Sequence, residues 1–442
     1  MDTPIYDFLK GYVGAGYVRA HMPGHKGKRE PLGGGDVFSD AYSYDITEIS
    51  GADSLFEADG IILKSEENAA RLFGSARTLY STSGSTLCIQ AMLALVCGRG
   101  EVVAAARNCH SAFVNVCVLL GLRIKWIYPN AAGVISAKAV EEALESEEGD
   151  KPSCVYVTSP DYLGRLCDVS YISEICKKHG VKLAVDNAHG AYLSFIEPSE
   201  HPICLGADIC CDSAHKTLPV LTGGAYLHIG DMRLAGRAKE YMRLFASTSP
   251  SYIILQSLDL CNSYLDGGFR SALKESIKRV SELRISIRLK FKVEDGERLK
   301  IAVYAPSGGY TGYELSAFLR NARIEPEYAD LTHVVLMFSA CSTQDDFERV
   351  RKAFEAVPES EPFPPLVSSL SVPRLESVMT VRDAFFSDSE EISVDKSVGR
   401  ICSKAISVCP PGVVFAAPGE VFSDEAVLFL KSYSIFRVNV VK

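Results

Sequence analysis

The sequence has no apolar run approaching the ~18 residues that a membrane-spanning helix needs, which argues against a helical membrane protein. The segment from Met1 to Lys10 carries Asp2 and Asp7 and no apolar core, so it does not read as a secretory signal. An excess of positive charge is also missing. Lys plus Arg is 46 against 55 Asp plus Glu, a formal charge of -9, and the balance gives no hint of a nucleic-acid or membrane-surface partner. No Cys-x-x-Cys pair occurs among the 14 cysteines, which removes the common zinc and redox signatures. Several cysteines, such as Cys88, Cys97, Cys117, Cys210 and Cys211, sit in apolar stretches and are expected to be reduced, mostly buried thiols. Internal repeats and low-complexity segments are absent as well. The expectation is a globular cytoplasmic chain.

What is present is a mixed pattern. The chain is 442 residues long, with 47% hydrophobic and 23% charged residues, enough for two or three domains with a large core. Residues 1–30, rich in Gly, Tyr, His and Pro, read as an arm. From about Ile61 to about Gly230, helix-like segments (Leu63–Phe73, Leu87–Cys97, Ala137–Glu147, Ile172–His179) alternate with short apolar runs. The runs are Glu101–Ala105, Ile124–Ile127, Cys154–Thr158, Lys182–Val185, Ile209–Cys211 and Ala225–His228. Such alternation predicts an α/β fold with a mostly parallel sheet, here spanning residues 31–265. A long helical connector is expected from Ser251 to about Val293. The remainder of 266–442 reads as a smaller α+β domain, with strands Lys300–Tyr304, His333–Phe338 and Val413–Ala416. Its helices are expected at Tyr313–Asn321, Gln344–Ala356 and Val372–Phe386, and Glu359–Pro365 reads as a linker.

The chemistry concentrates at strand ends, where α/β proteins bind ligands. SAHKTLP places Lys216 just past the apolar run ADICC, flanked by Ser213 and His215. An amine there suits a Schiff base if it can lose its proton, although a lysine after a strand is more often a surface residue. Asp186 ends the run Val181–Val185. A carboxylate in that position needs a partner, and a protonated pyridine nitrogen is one; a helix cap or backbone donors would also serve. Gly84, Ser85 and Thr86 open a helix, where free N–H groups and hydroxyls suit a phosphate or merely cap the helix. His110 follows the strand VVAAA and could stack on a planar ring or play a structural part. His21 and His25 flank a Pro-Gly turn in HMPGHK. No carboxylate or cysteine lies nearby in sequence, so no metal is expected.

Taken in order, HMPGHK, GST before a helix, RNCH, VDNAHGA, SAHKT, TSPSY, GRIC, PPG and PGE closely resemble the ornithine/lysine/arginine decarboxylase family. That family comprises fold-type I enzymes dependent on pyridoxal 5′-phosphate (PLP). The resemblance covers nearly the whole chain. It implies that Lys216 carries the cofactor as a Schiff base and that Asp186 holds the pyridine nitrogen. It implies further that His110 stacks on the ring, that Gly84, Ser85 and Thr86 bind the phosphate with Ser213 and His215 assisting, and that Ala188 and His189 sit beside the ring. Thr248, in TSPSY, would serve the phosphate of a partner in a homodimer or larger assembly with a shared active site. The implied reaction removes the carboxylate of an amino acid, most simply a basic one (lysine, ornithine or arginine), as carbon dioxide, in the service of polyamine biosynthesis. His215, Lys216 and the Tyr162 region are the candidate proton donors. The position of HMPGHK near the start suggests the short, biosynthetic-style branch without an additional N-terminal domain.

Three positions depart from the family pattern. Asn187 stands where Glu is usual after the cofactor aspartate, Lys404 where an acidic residue is usual, and Cys409 where Tyr is common. Loss of negative charge would weaken recognition of a cationic side chain. Either the substrate is not a simple diamino acid, or the acidic group comes from elsewhere, for example Glu314 or Glu420. The same Lys and Asp would also serve transamination, β-elimination or aldol cleavage of a non-basic amino acid. A non-enzymatic descendant of the family is disfavoured by the joint presence of Lys216, Asp186 and His110.

Overall fold

The computed structural model describes residues 1–28, 40–146, 149–364, 373–407 and 414–442. Outside the described residues lie Arg29 and Glu30 of the arm, Glu147 at the expected helix end, Pro365 of the linker, and Val372 and Val413 at expected element starts. Cys409 and the PPG motif, Pro410 to Gly412, lie outside them too.

The chain forms two units, each built from two stretches of sequence: Met1–Leu95 with Asp186–Ser271, and Val96–Val185 with Ala272–Lys442. The first unit opens with helix α1 (Pro4–Gly14) in the arm and continues through α2 (Ala41–Tyr44) and α3 (Ile61–Phe73). Strand β1 (Arg77–Ser81) then leads through a turn into α4, which begins at Gly84 and ends at Val96. The first α3 turn has no cap within its own turn. Its N–H groups at Ile62 and Leu63 are instead met by the Asp53 carboxylate at 2.9 and 3.3 Å, which supplies the acceptor an open helix start requires.

The second unit contains β2 (Val102–Ala106), β3 (Arg123–Ile127), β4 (Cys154–Thr158) and most of β5 (Lys182–Asp186), with β2 running parallel to both β3 and β4. Helices α5 (Ser111–Leu120), α6 (Ala137–Glu145) and α7 (Val169–His179) connect these strands, as parallel pairing demands. Strands β2 and β4 are buried at every residue, which is why they read as unbroken apolar runs and not as alternations. Val102 and Val103, 7% and 0% exposed, each contribute roughly 1.5–3 kcal/mol by that burial.

Back in the first unit, β6 (Ile209–Asp212) is followed by the one-turn helix α8 (Ala214–Thr217) and by β7 (Ala225–Ile229). Strand β7 lies between β1 and β6 and is antiparallel to both, with Tyr226 opposite both Tyr80 and Asp212. The turn before β7 approaches α4 closely: Gly84 N–H donates to Gly223 O at 2.7 Å. Phe73, Tyr80, Tyr226, Phe195 and Phe269 fill the core beside these strands, all at most 4% exposed.

The expected continuous connector is two helices, Tyr252–Asp266 and Phe269–Ile287. They break at Gly267–Gly268, where each glycine costs about 1 kcal/mol of helix stability relative to alanine. In the C-terminal half, an antiparallel sheet joins Lys292–Val293, Lys300–Tyr304, Tyr328–Ala329 and His333–Met337, with helices Gly312–Asn321 and Gln344–Ala356. The expected helix over Val372–Phe386 forms only as Val381–Phe386. Thr380 opens the observed helix by accepting the Asp383 N–H at 3.1 Å. The last segment packs Phe415, Phe422, Phe429 and Val440 into a separate cluster, with the Phe415 and Phe429 rings stacked at 4.6 Å. Thus the expected α/β fold with a smaller α+β C-terminal part is what the chain forms.

Candidate active site

The first unit gathers most of the residues singled out from sequence. Asp186 ends β5 and is 2% exposed. Its Oδ1 accepts the Ala188 N–H at 3.1 Å and faces the Cys211 thiol at 3.7 Å, so Ala188 bends the chain away from the strand around the carboxylate. Burial pushes the Cys211 thiol far up, which keeps it a proton donor toward Asp186. Two residues beyond Asn187, His189 reaches Lys216: Nζ and Nε2 are 3.1 Å apart. Lys216 sits in α8, whose single turn carries the chain from β6 into the loop before β7.

Ser213, the residue before α8, donates from its hydroxyl to Ser85 Oγ at 2.8 Å. Strand β6 and the start of α4 are thereby joined through the two serines that sequence marked for a phosphate. Gly84 has a φ of +69°, the left-handed region that glycine enters freely, and a Cβ built there would meet nothing within 4 Å. The α4 N-terminus therefore opens onto free space, with Ser85 half-buried and Thr86 exposed. A carboxylate ending one strand, an amine in the one-turn helix that follows the next and an open, hydroxyl-lined helix start fit a PLP molecule's pyridine, aldehyde and phosphate.

His215 turns elsewhere. Its Nδ1 lies 2.9 Å from the Gly224 carbonyl, and because a carbonyl can only accept, Nδ1 carries the proton. In TSPSY, Thr248 is exposed while Tyr252 is fully buried and donates to Asp53 O at 2.8 Å. Met22, Pro23 and Gly24 of HMPGHK share a cleft of about 410 Å³ with Asp45, Thr47 and Ser249. The fold also brings a carboxylate to HMPGHK that sequence spacing did not show: His25 Nε2 lies 3.2 Å from Asp45 Oδ2.

His110 belongs to the second unit, where its Nδ1 accepts the Ala112 N–H at 3.0 Å and caps α5. Tyr162 donates to Glu327 at 3.1 Å. The two carboxylates considered as substitutes for a lost acidic group are both engaged. Glu314 accepts from the Thr311 N–H and hydroxyl at 2.8 Å each, closing a capping box. Glu420 is fully buried against Arg107. Lys404 is exposed, and its carbonyl accepts from the Cys402 thiol at 3.0 Å.

Sequence reading missed one cluster in the first unit. Asp212, which ends β6, is fully buried and takes three donors: Asn187 Nδ2 at 2.6 Å, His201 Nε2 at 3.0 Å and His228 Nε2 at 3.1 Å. Burial would raise the Asp212 carboxyl, but the two imidazoles outweigh it and hold the group well below its usual range. His201 and His228 lie in segments without a motif, so only the ADICCD run, whose last residue is charged, hinted at this cluster.

Fold and site together define a class: an α/β protein with a carboxylate at the end of one strand, an amine in the one-turn helix after another, and an open helix start beside them. The chain belongs to the Orn/Lys/Arg decarboxylase family. The model of that family's major domain matches residues 3–306, and that of its C-terminal domain matches residues 366–438. The arginine decarboxylase of Halalkalibacterium halodurans is 28% identical, over 97% of this chain and 93% of its own. That of Bacillus subtilis is 27% identical over the same shares of the two chains. The constitutive lysine decarboxylase of Escherichia coli has a similar fold, with a TM-score of 0.82, 18% identity and coverage of 100% of this chain and 82% of that one. Among the described residues, no helix is long and apolar enough to cross a membrane.

Proposed function

We propose that this decarboxylase acts with PLP on a basic amino acid (lysine, ornithine or arginine) and releases the amine and carbon dioxide. The observation that carries this reading is the Lys216–His189 contact at 3.1 Å in the same unit as the buried Asp186. When bound, the cofactor supplies an electron sink for the bond broken at the substrate's α-carbon. The chain's own residues do the rest. Lys216 would hold the cofactor through its Nζ. Asp186 would pair with the pyridine nitrogen and favour its protonated form. Ser85 and Thr86 would hold the phosphate through N–H and O–H donors, with Gly84, whose own N–H goes to Gly223 O, shaping the open turn and Ser213 assisting through Ser85. His189 exchanges a proton with Lys216 Nζ, a role that suits an imidazole near neutral pH.

For Ala188, His110, His215 and Thr248 we keep the roles implied by the family: ring contact, ring stacking, and phosphate binding by the last two, Thr248 serving a partner in a homodimer. The working division of the chain is the arm 1–30, the cofactor domain 31–265 and the C-terminal domain 266–442. Cytoplasmic location and supply of amines for polyamine biosynthesis belong to the same proposal. Its test is a panel: purified protein with PLP, incubated with lysine, ornithine, arginine and neutral amino acids, the products identified by mass. A diamine or agmatine with matching carbon dioxide is the expected result. A keto acid, or turnover of neutral amino acids alone, overturns it.

A further inference from the structure

Asn187 is one of the three departures from the family pattern, and its surroundings give it a definite partner. The side chain is 0% exposed and wedged against the backbone: a Cβ at Gly190 would lie 2.0 Å from Asn187 Oδ1. Its amide nitrogen donates to Asp212 Oδ1 at 2.6 Å. An amide fills this place as a donor without adding charge. A carboxylate at 187 would meet a second carboxylate at that distance, with both buried, and one of them would have to take up a proton. The negative charge at this contact stands at 212, where two imidazoles also hold it.

The same pair joins the two strand ends that carry the chemistry. Asn187 directly follows Asp186, and its N–H also donates to Cys211 O at 2.9 Å. Asp212 directly precedes Ser213, which bonds Ser85, and the one-turn helix bearing Lys216 follows. The Asp186 carboxylate and the Cys211 thiol close the contact from the other side at 3.7 Å. Behind Asp212, His228 is anchored in turn by Thr78, whose Oγ1 lies 2.8 Å from Nδ1.

We propose that Asn187 and Asp212 form a matched donor–acceptor pair that positions Asp186 and Lys216 for the cofactor. This rests on the PLP reading above. Neither residue touches the cofactor in the proposal; both act through their chain neighbours.

The pair can be exchanged on paper without losing a bond. With Asn187→Asp and Asp212→Asn combined, an amide at 212 donates back to 187 from the place of Oδ1. Its carbonyl replaces Oδ2 as acceptor for His201 and His228. The experiment measures the dissociation constant for PLP and the visible absorbance of the bound cofactor in wild type, Asn187→Asp and the exchanged pair. Circular dichroism reports folding. Asn187→Asp alone is expected to weaken PLP binding by about tenfold or more while the protein remains folded, because it leaves a buried acceptor facing an acceptor. The exchanged pair is expected to return to within about threefold of wild type, the mark of a directly coupled pair. If Asn187→Asp does not fold, Asn187→Ala, which removes the donor without adding charge, carries the same expectation. Folded single variants with wild-type PLP affinity and absorbance overturn the proposal, and so does an exchanged pair no better than the single variant. A wild-type protein that binds no PLP would instead sink the cofactor reading itself.

Discussion

Arg107 and Glu420 meet across the second unit through two hydrogen bonds of 2.6 and 2.8 Å, with both side chains fully buried. Arg107 also stacks on Trp126, its guanidinium carbon 4.4 Å from the ring centroid, and donates to Phe415 O. The pair fixes the PGE turn to the end of β2. Removing one partner leaves a buried charge without its counter-ion. Glu420→Ala is therefore expected to destabilise the protein by about 3–5 kcal/mol, read by denaturant unfolding. Glu420→Ala combined with Arg107→Met should cost less than the single change, because no unpaired charge remains. Equal or additive losses would contradict this account of the pair.

Asp259 predicts a pH dependence. It is fully buried, accepts the Ile5 and Tyr6 N–H groups at 2.9 and 3.0 Å, and takes the Ser65 hydroxyl at 2.5 Å. Burial outweighs these donors and raises its pKa from 3.8 to about 6. An acid whose folded pKa lies above its unfolded value holds its proton longer in the folded state. Its contribution to stability is thus full at low pH and falls as pH rises from about 3.8 to about 6, then levels off. Asp259→Asn should flatten that part of the melting-temperature profile. An unchanged slope would assign it to other groups.

His189 is expected to matter for rate more than for folding. Replacing it by Gln keeps a polar group near Lys216 Nζ but removes proton exchange. A loss of about 10²–10⁴ in kcat is expected, with the melting temperature within a few degrees of wild type, in steady-state kinetics alongside thermal unfolding. Near-normal kcat would leave the 3.1 Å contact without a chemical role.

The parts of this molecule that sequence revealed are those written locally. Strand runs such as Cys154–Thr158 and the helix Gln344–Ala356 were legible to the residue, since burial on both faces or a 3.6-residue stripe leaves a local imprint. Lys216, Asp186 and Ser85 were legible because each follows or opens such an element. What was hidden is set by distant partners. Nothing near Arg107 announces Glu420, 313 residues away, and nothing in the strand β7 foretells its antiparallel pairing with both β1 and β6. The partner of Asn187 was hidden too, because Asp212 lies 25 residues on. Glu314 and Glu420 looked available because their partners were not yet in view.

The central claim is that Lys216 Nζ bonds the cofactor, and one measurement tests it most directly. Purified protein is incubated with PLP, reduced with borohydride, digested and analysed by mass spectrometry. A pyridoxyl phosphate group on the peptide containing Lys216, absent from the Lys216→Ala variant, is the predicted result. A label on another lysine, or none on Lys216 while the protein still turns over its substrate, would contradict it.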